Sequence, residues 1–164
     1  MPRYTMKQDW IQFGRDYTVT DEHGDTAFII DGHVFAIGDK LTIYDGAKNE
    51  QVVVSQRLLA WGPTYEIYRG GRHVGTVKKS LFTFFSCDFT IDVPGPDDIT
   101  AEGDFMEHEY CFKRGGSEIA HVSKRWLALR DAYGLDIQSH VDPVLILAGA
   151  VVIDLCCHEK RGHG

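Results

Sequence analysis

Polar and apolar residues alternate along most of the chain before residue 140, and a period of two predicts β-strands. In Tyr17–Gly32, alternating segments flank the sequence DEHGD, and in Lys40–Gln56 they flank DGAKNE. Asp and Gly favour tight turns, so each of these segments predicts a β-hairpin. The sequence YGLDI, Tyr133–Ile137, predicts a short last strand.

A third and a fourth hairpin are predicted by two nearly repeated segments. YEIYRGGRHVGTVKK begins at Tyr65, and YCFKRGGSEIAHVSK begins 45 residues later at Tyr110. When the two segments are aligned without gaps, apolar residues align with apolar residues, Arg69 aligns with Arg114, and the glycine pairs of the two turns align. Such a repeat indicates one supersecondary unit used several times. The two earlier hairpins are looser copies of the same unit.

One helix is predicted, at about 142–157. Asp142 is a suitable N-cap, and Pro143 suits the first helical position, where an amide hydrogen is not needed. The uninterrupted apolar run Val144–Ile153 is about half of the roughly 20 residues needed to span a bilayer. A short helix that is apolar on every side is typical of burial inside protein.

Together these elements predict one all-β domain covering residues 1–164. Closing the hairpins into a barrel hides every strand edge. A wide barrel cannot be filled by its own side chains, and the apolar helix supplies the filling. We therefore predict a closed antiparallel barrel of about twelve strands, with its wall at about 3–138, around a central C-terminal helix. Pro94–Thr100 is predicted to be a loop, because its two prolines disfavour regular structure.

Composition excludes several classes of protein. The 164 residues are 43% hydrophobic and 25% charged, which is typical of a globular chain, and the net charge of −7 makes nucleic-acid binding improbable. No signal peptide is visible at the N-terminus. Cys87, Cys111, Cys156 and Cys157 match neither a disulfide framework nor a zinc motif, so we expect a cytoplasmic protein with reduced thiols.

The two repeated hairpins are basic although the chain is acidic. Tyr65–Leu81 and Tyr110–Trp126 each carry a net charge of +3. Arginine matches the geometry of phosphate oxygens, so these cations predict a site for an anionic head group. The alternative is that they only solvate the turns and the outer wall. The candidate ligand-binding residues are Arg69, Arg72, Lys78, Lys79, Lys113, Arg114, Lys124 and Arg125.

We expect no metal and no cofactor. His158 and His163 follow Cys156 and Cys157, but their spacing fits no zinc motif. Glu107, His108 and Glu109 are adjacent, but in a strand His108 would face away from its two neighbours.

No catalytic motif is recognisable, so we expect a protein that is not an enzyme. Asp154 is the most unusual carboxylate, because it interrupts the apolar helix. We expect a structural role for it, with strand amides or an arginine of the wall as hydrogen-bond donors.

The chain resembles the LURP-one-related family, whose fold is similar to tubby C-terminal domains and phospholipid scramblases. The segments that carry this resemblance follow in the family's order over nearly the whole chain: RYTMKQDW, FIIDGHVFAIGDKLTIYD, the two R-G-G hairpins, AEGDFMEHEY and DPVLILAGAVVIDL. The resemblance implies a twelve-stranded barrel around a hydrophobic helix. It also implies two functional expectations, since tubby domains bind phosphoinositides and scramblases are calcium-linked membrane proteins. The lipid-contacting residues of tubby cannot be matched here one by one.

We therefore expect a non-catalytic binding or scaffold protein that recognises an anionic lipid or phosphorylated ligand, with peripheral membrane contact. One alternative is a scramblase-like protein anchored in the membrane by its C-terminal helix. A second is an enzyme acting on a small molecule. The oligomeric state stays open.

Overall fold

The computed structural model describes residues 2–11, 14–35, 38–57, 64–81, 87–95, 97–124 and 132–158. These residues form twelve strands and one helix. The elements are β1 (Arg3–Ile11), β2 (Gly14–Thr20), β3 (Thr26–Phe35), β4 (Gly38–Asp45), β5 (Glu50–Arg57), β6 (Thr64–Arg69), β7 (Arg72–Leu81), β8 (Cys87–Asp92), β9 (Ile99–Asp104), β10 (Glu109–Arg114), β11 (Ser117–Ser123), β12 (Ala132–Ile137) and α1 (Pro143–His158).

The twelve strands form one closed antiparallel barrel, as predicted. Each strand pairs with its neighbours in sequence, and β1 closes the ring by pairing with β12, with Arg3 opposite Asp136 and Lys7 opposite Ala132. Inward and outward residues alternate along the wall, as in β10, where Tyr110 and Phe112 are buried and their neighbours are partly exposed. Closure leaves no strand edge unpaired.

The repeated hairpins have the same local geometry. Gly70 and Gly71 have φ of 59° and 79°, and Gly115 and Gly116 have φ of 58° and 80°. These left-handed values are what a two-residue turn between twisted strands requires, and glycine adopts them without strain. The register shifts after Ile67 in one hairpin and after the equivalent Phe112 in the other.

The two earlier hairpins carry the same device. Register shifts follow Val19 in the β2–β3 hairpin and Ile43 in the β4–β5 hairpin, again next to the turn. In both turns the first aspartate caps the backbone: Asp21 accepts from the amide of Asp25 at 3.0 Å, and Asp45 from that of Asn49 at 2.9 Å. All four hairpins thus share a register shift next to the turn, while the two earlier turns are longer than the Gly-Gly turns.

Helix α1 lies inside the barrel. Ile146, Leu147, Ala148, Ala150 and Val151 are fully buried. At Gly149 a Cβ atom would lie 2.7 Å from Ile91 Cδ1 and 3.0 Å from Phe112 Cε1, so the wall packs directly against the helix backbone. Asp142 is the predicted N-cap, since its Oδ1 accepts from the amide of Val144 at 3.0 Å.

The helix axis gives the barrel two distinct ends. At the proximal end, where α1 begins, lie the β2–β3, β4–β5, β6–β7, β8–β9 and β10–β11 turns. At the distal end, where α1 finishes, lies the β9–β10 turn, Phe105–His108. Antiparallel strands place alternate turns at opposite ends, so this assignment follows from the strand order.

Two predictions of local structure need correction. The predicted loop Pro94–Thr100 is too long, because β9 begins at Ile99. Ile99 is fully buried, and its apolar contact favours the strand despite the nearby prolines. The other correction concerns His108 and is described with the site below.

No helix among the described residues is both long enough and apolar enough to cross a membrane.

Candidate functional site

Two of the four predicted cations at the proximal end are paired with carboxylates. Arg69 Nη2 lies 2.8 Å from Asp142 Oδ2, so one arginine of the first repeated turn holds the N-cap of α1. Lys113 pairs with Glu102 of β9, and this hydrogen-bonded contact raises the pKa of Lys113. Arg72 is exposed, and Arg114 Nε is buried with no hydrogen-bond partner among the described residues.

Carboxylates outnumber cations in the turns of the proximal end. The described acidic residues of these turns and of the start of α1 are Asp21, Glu22, Asp25, Asp45, Glu50, Asp92, Asp97, Asp98 and Asp142, whereas the cations are Lys48, Arg69, Arg72 and Arg114. Arg72 and Arg114 therefore lie in an acidic environment, which weakens their attraction for an anion.

The remaining predicted cations lie in the distal half of the wall. Lys78 is exposed on the outer face of β7, and Lys124 is exposed directly after β11. Lys79 is half-buried opposite the inward-facing Phe89. None of these three lysines makes an ion pair within the described parts of the chain. Arg125 lies outside the described residues.

The eight predicted residues therefore do not share one surface. The β6–β7 and β10–β11 turns are separated by β8 and β9, which at about 4.8 Å per strand corresponds to roughly 15 Å of wall. A single phosphate group is too small to bridge that distance. The cations divide into a proximal group around the two Arg-Gly-Gly turns and a distal group of lysines.

A second cluster lies inside the distal end and is centred on Asp154. This carboxylate is 5% exposed. Its Oδ2 accepts from the hydroxyl of Tyr17 at 3.2 Å and from that of Tyr133 at 3.1 Å. Its Oδ1 lies 2.8 Å from His108 Nε2. A buried carboxylate is stable only when hydrogen-bonded, and here two strands and one turn supply the donors. We call Asp154, His108, Tyr17, Tyr110 and Tyr133 the distal polar cluster.

His108 reaches this cluster because it lies in a turn and not in a strand. Its φ is 54°, a left-handed conformation that non-glycine residues rarely adopt. The ring stacks on Tyr133 with centroids 4.6 Å apart and an interplanar angle of 26°. The expectation that strand alternation would set its direction was wrong, because the chain reverses at Phe105–His108 before β10 begins.

The tyrosines of the cluster are held in their neutral form. Burial raises the pKa of Tyr110 well above 10.0, and the charge of Asp154 adds to this effect. Burial and then Asp154 likewise raise the pKa of Tyr133 well above 10.0. The Tyr110 hydroxyl is buried and finds no hydrogen-bond partner among the described residues, in contrast to that of Tyr133.

The described donors to Asp154 differ from those that the sequence suggested. They are two tyrosine hydroxyls and a histidine ring, where strand amides or a wall arginine were expected. No group of three metal-binding side chains occurs in the described parts of the chain, which exclude His163 and the side chain of His158. One sequence signal for His108 existed: at the 45-residue offset, its equivalent is Pro63, two residues before the first repeated segment. Proline disfavours a strand interior, so the repeat itself indicates a break at this position.

A surface depression of about 600 Å³ lies at the proximal end. It is lined by Arg3, Thr5, Asp21, Glu22 and Asp136. Arg3 makes a two-pronged contact with Asp136, at 2.7 Å from Nε and 3.1 Å from Nη2. The guanidinium in this depression is thus already paired, and its other charges are carboxylates.

Comparison with known proteins is consistent with this architecture. The family model described as LURP-one-related matches residues 3–154. The chain is 31% identical over 156 residues to the uncharacterized protein YxjI of Bacillus subtilis (strain 168), an alignment that covers 95% of this chain and 94% of YxjI.

A solved X-ray structure of an Arabidopsis thaliana protein has the same fold. It superposes with a TM-score of 0.68 at 18% identity, covering 93% of this chain and 90% of the plant chain. At this identity the likeness concerns the fold alone. All three similarities extend over nearly the whole barrel and its helix.

Proposed function

The chain belongs to the LURP-one-related family, and from this premise we propose that it is a non-catalytic binding protein whose ligand carries an anionic phosphate group. The ligand contacts the outside of the distal half of the barrel, at Lys78 and Lys124. These lysines lie on β7 and directly after β11, four strand steps or about 19 Å apart, so the ligand presents an anionic surface larger than one phosphate group. The observation that carries the proposal is a difference between the two groups of cations. The distal lysines make no ion pair in the described structure, whereas at the proximal end Arg69 and Lys113 are paired and Arg72 and Arg114 lie among carboxylates.

The filled interior supports a ligand on the outside of the barrel. Helix α1 occupies the space that other wide barrels leave for a ligand, and its central residues contact the wall on every side. The alternative of a helix-anchored membrane protein would require α1 to leave the barrel. That movement would expose the apolar inner face of the wall to water, at a large cost in free energy.

Charge supports the distal half over the proximal end. An anion near Arg72 or Arg114 is repelled by the surrounding carboxylates, and Arg69 and Lys113 already have acidic partners. Lys78 on β7 and Lys124 directly after β11 are exposed to solvent in the distal half. A lysine near an anionic surface contributes about 1 kcal/mol to binding, so several are needed for stable attachment.

The test is co-sedimentation with phosphatidylcholine vesicles that contain or lack phosphatidylserine, at low and at high salt. Two double variants are compared: Lys78→Gln with Lys124→Gln at the distal half, and Arg72→Gln with Arg114→Gln at the proximal end. Both change the net charge equally. The proposal predicts that the distal variant binds anionic vesicles about thirtyfold more weakly, from about 1 kcal/mol per lysine. The proximal variant should bind like wild type.

Competition with soluble inositol trisphosphate distinguishes a free phosphorylated ligand from a membrane surface. Displacement from vesicles at low competitor concentration indicates a discrete phosphate site, whereas resistance to the competitor indicates attachment to the surface as a whole. Equal loss of binding in the two double variants would reject the distal assignment. Absence of binding to both anionic vesicles and the soluble competitor would reject the proposed function.

A further inference from the structure

We propose that the β9–β10 turn is a releasable strap, in which His108 pins the C-terminal end of the central helix to the barrel wall through Asp154. Release of the strap frees the last turn of α1 while the twelve strands stay paired. The inference concerns a conformational device and does not depend on the proposed anionic ligand.

The pin is a specific contact between two elements that are otherwise distant in the chain. His108 Nε2 and Asp154 Oδ1 are 2.8 Å apart, and the two side chains are 13% and 6% exposed. The flat stack of the ring on Tyr133 fixes its orientation toward the helix. Tyr17 and Tyr133 hold the other oxygen of Asp154 from the wall. The helix end is therefore tied to the strands by the hydroxyls and to the turn by the histidine.

The backbone of the strap is strained in the pinned state. Two described non-glycine residues have positive φ, His108 at 54° and Lys48 at 67°. Lys48 lies in an exposed turn at the proximal end, where the side chain of Asp45 accepts from the backbone of the same turn. At His108 the side chain points inward and its contacts oppose the strain. A strained residue persists only where its surroundings hold it, so losing the Asp154 contact favours relaxation of the turn.

The turn begins with a buried residue, Phe105, which is followed by an exposed one. The ring of Phe105 packs edge-on against that of Phe89, with centroids 5.0 Å apart, and its centroid lies 5.1 Å from that of Tyr110. These contacts hold the start of the turn against the core. The next residue, Met106, is 41% exposed and is the large hydrophobic residue most open to solvent among those the structure describes. The pinned residue His108 is thus at the free half of the turn, and it can swing outward while Phe105 remains in place.

The accessibility of the Cys156 and Cys157 thiols can be used to detect movement of the C-terminal end of α1. Both thiols are reduced and partly buried, within one turn of Asp154. Cys111 is also reduced and partly buried, but it lies on the wall strand β10. Release of the strap should increase the accessibility of the two helix thiols and leave Cys111 unchanged. These three residues separate local release from general loosening of the barrel.

The experiment measures alkylation by iodoacetamide, located by mass spectrometry, in wild type, His108→Ala and His73→Ala. His73 is a matched control, since its ring also lies beside a tyrosine, Tyr68, and its Nε2 lies 2.9 Å from Thr76 Oγ1 on the outer wall. We expect His108→Ala to accelerate labelling of Cys156 and Cys157 by about tenfold or more, because a hydrogen bond to a charged group shifts an equilibrium by that order. Labelling of Cys111 should not change, and His73→Ala should match wild type at all three positions.

Parallel acceleration at Cys111 would show that His108 only contributes to global stability, and unchanged labelling of Cys156 and Cys157 would show that it pins nothing. Both outcomes overturn the proposal. If His108→Ala fails to fold, amide hydrogen exchange of wild type decides. A shared sub-global opening of residues 106–110 and 154–158 supports the strap, whereas helix-end exchange that occurs only through global unfolding overturns it.

Discussion

The same helix carries a carboxylate near each end, and the two are held in opposite ways. At the proximal end Asp142 pairs with Arg69 in a contact where both side chains are more than a third exposed. At the distal end Asp154 is buried and receives its hydrogen bonds from two tyrosines and a histidine. Solvent can replace the partners of Asp142 but not those of Asp154. Equal chemistry at two ends of one helix should therefore have unequal effects on stability.

A carboxylate introduced in the middle of the helix should destabilise the protein more than any change at its two ends. Ala148→Asp or Gly149→Glu places a carboxylate between the two ends, where the wall offers it no partner. We expect either change to cost more than about 5 kcal/mol, which is the total stability of many domains, so the barrel should not fold. Circular dichroism during thermal unfolding is the measurement. Met106→Asp, at an exposed position, is the matched control and should melt like wild type; a normal transition for Ala148→Asp would contradict the central position of the helix.

The two carboxylates can be compared directly by removing each in turn. Asp154→Ala leaves Tyr17, Tyr133 and His108 without their buried acceptor, and we expect a loss of about 3–5 kcal/mol. Asp142→Ala removes an N-cap and an exposed ion pair, and we expect a loss of about 0.5–2 kcal/mol. Urea unfolding gives both values. Equal losses would mean that the distal polar cluster stabilises the fold no more than a surface contact does.

Within the distal polar cluster, the hydroxyls of Tyr133 and Tyr110 should contribute differently to stability. The Tyr133 hydroxyl donates to Asp154, so Tyr133→Phe should lower the free energy of unfolding by about 1.5–3 kcal/mol. The Tyr110 hydroxyl is buried without a partner in the described structure, so Tyr110→Phe should leave the stability unchanged or raise it. Urea unfolding of the two variants tests this. A larger loss for Tyr110→Phe than for Tyr133→Phe would reverse the assigned roles.

The raised pKa values of Tyr110 and Tyr133 predict a specific weakness at alkaline pH. In the unfolded chain these phenols ionise near pH 10, whereas in the barrel they stay protonated. Their contribution to stability is complete below that pH and is lost as the pH rises through the folded pKa values, by about 1.4 kcal/mol per pH unit for each group. Unfolding free energies measured on both sides of pH 10 give the slope of stability against pH. Tyr133→Phe should make this slope shallower. A slope identical to that of wild type would show that Tyr133 ionises equally in the folded and unfolded states.

The wall and the helix were predictable because their signals repeat or are local. Four hairpins share a register shift next to the turn, and the two Arg-Gly-Gly turns show the repeat directly in the sequence. Asp142 and Pro143 mark the helix start through contacts within one turn. Each of these features depends on residues close together in the chain, which is why the pattern of residue types was sufficient.

The distal polar cluster was not predictable in the same way. Its members come from β2, the β9–β10 turn, β10, β12 and α1, and only the closed barrel brings them together. His108 lies between two glutamates in a segment that alternates like a strand, and no residue type announces its left-handed backbone. The same limit applies to the cations, because Arg69 and Lys113 find their acidic partners outside their own hairpins. Contacts between distant segments decided both outcomes.

The enclosure of α1 by the wall is the claim on which the rest depends, and amide hydrogen exchange of the wild-type protein tests it most directly. The account predicts that the amides of residues 147–152 are among the slowest in the molecule and exchange only through global unfolding, since these residues are themselves buried. Protection equal to that of the central wall strands would match this prediction. Fast exchange of these amides in a protein whose strands remain protected would contradict it, because the helix would then leave the barrel while the wall stays folded.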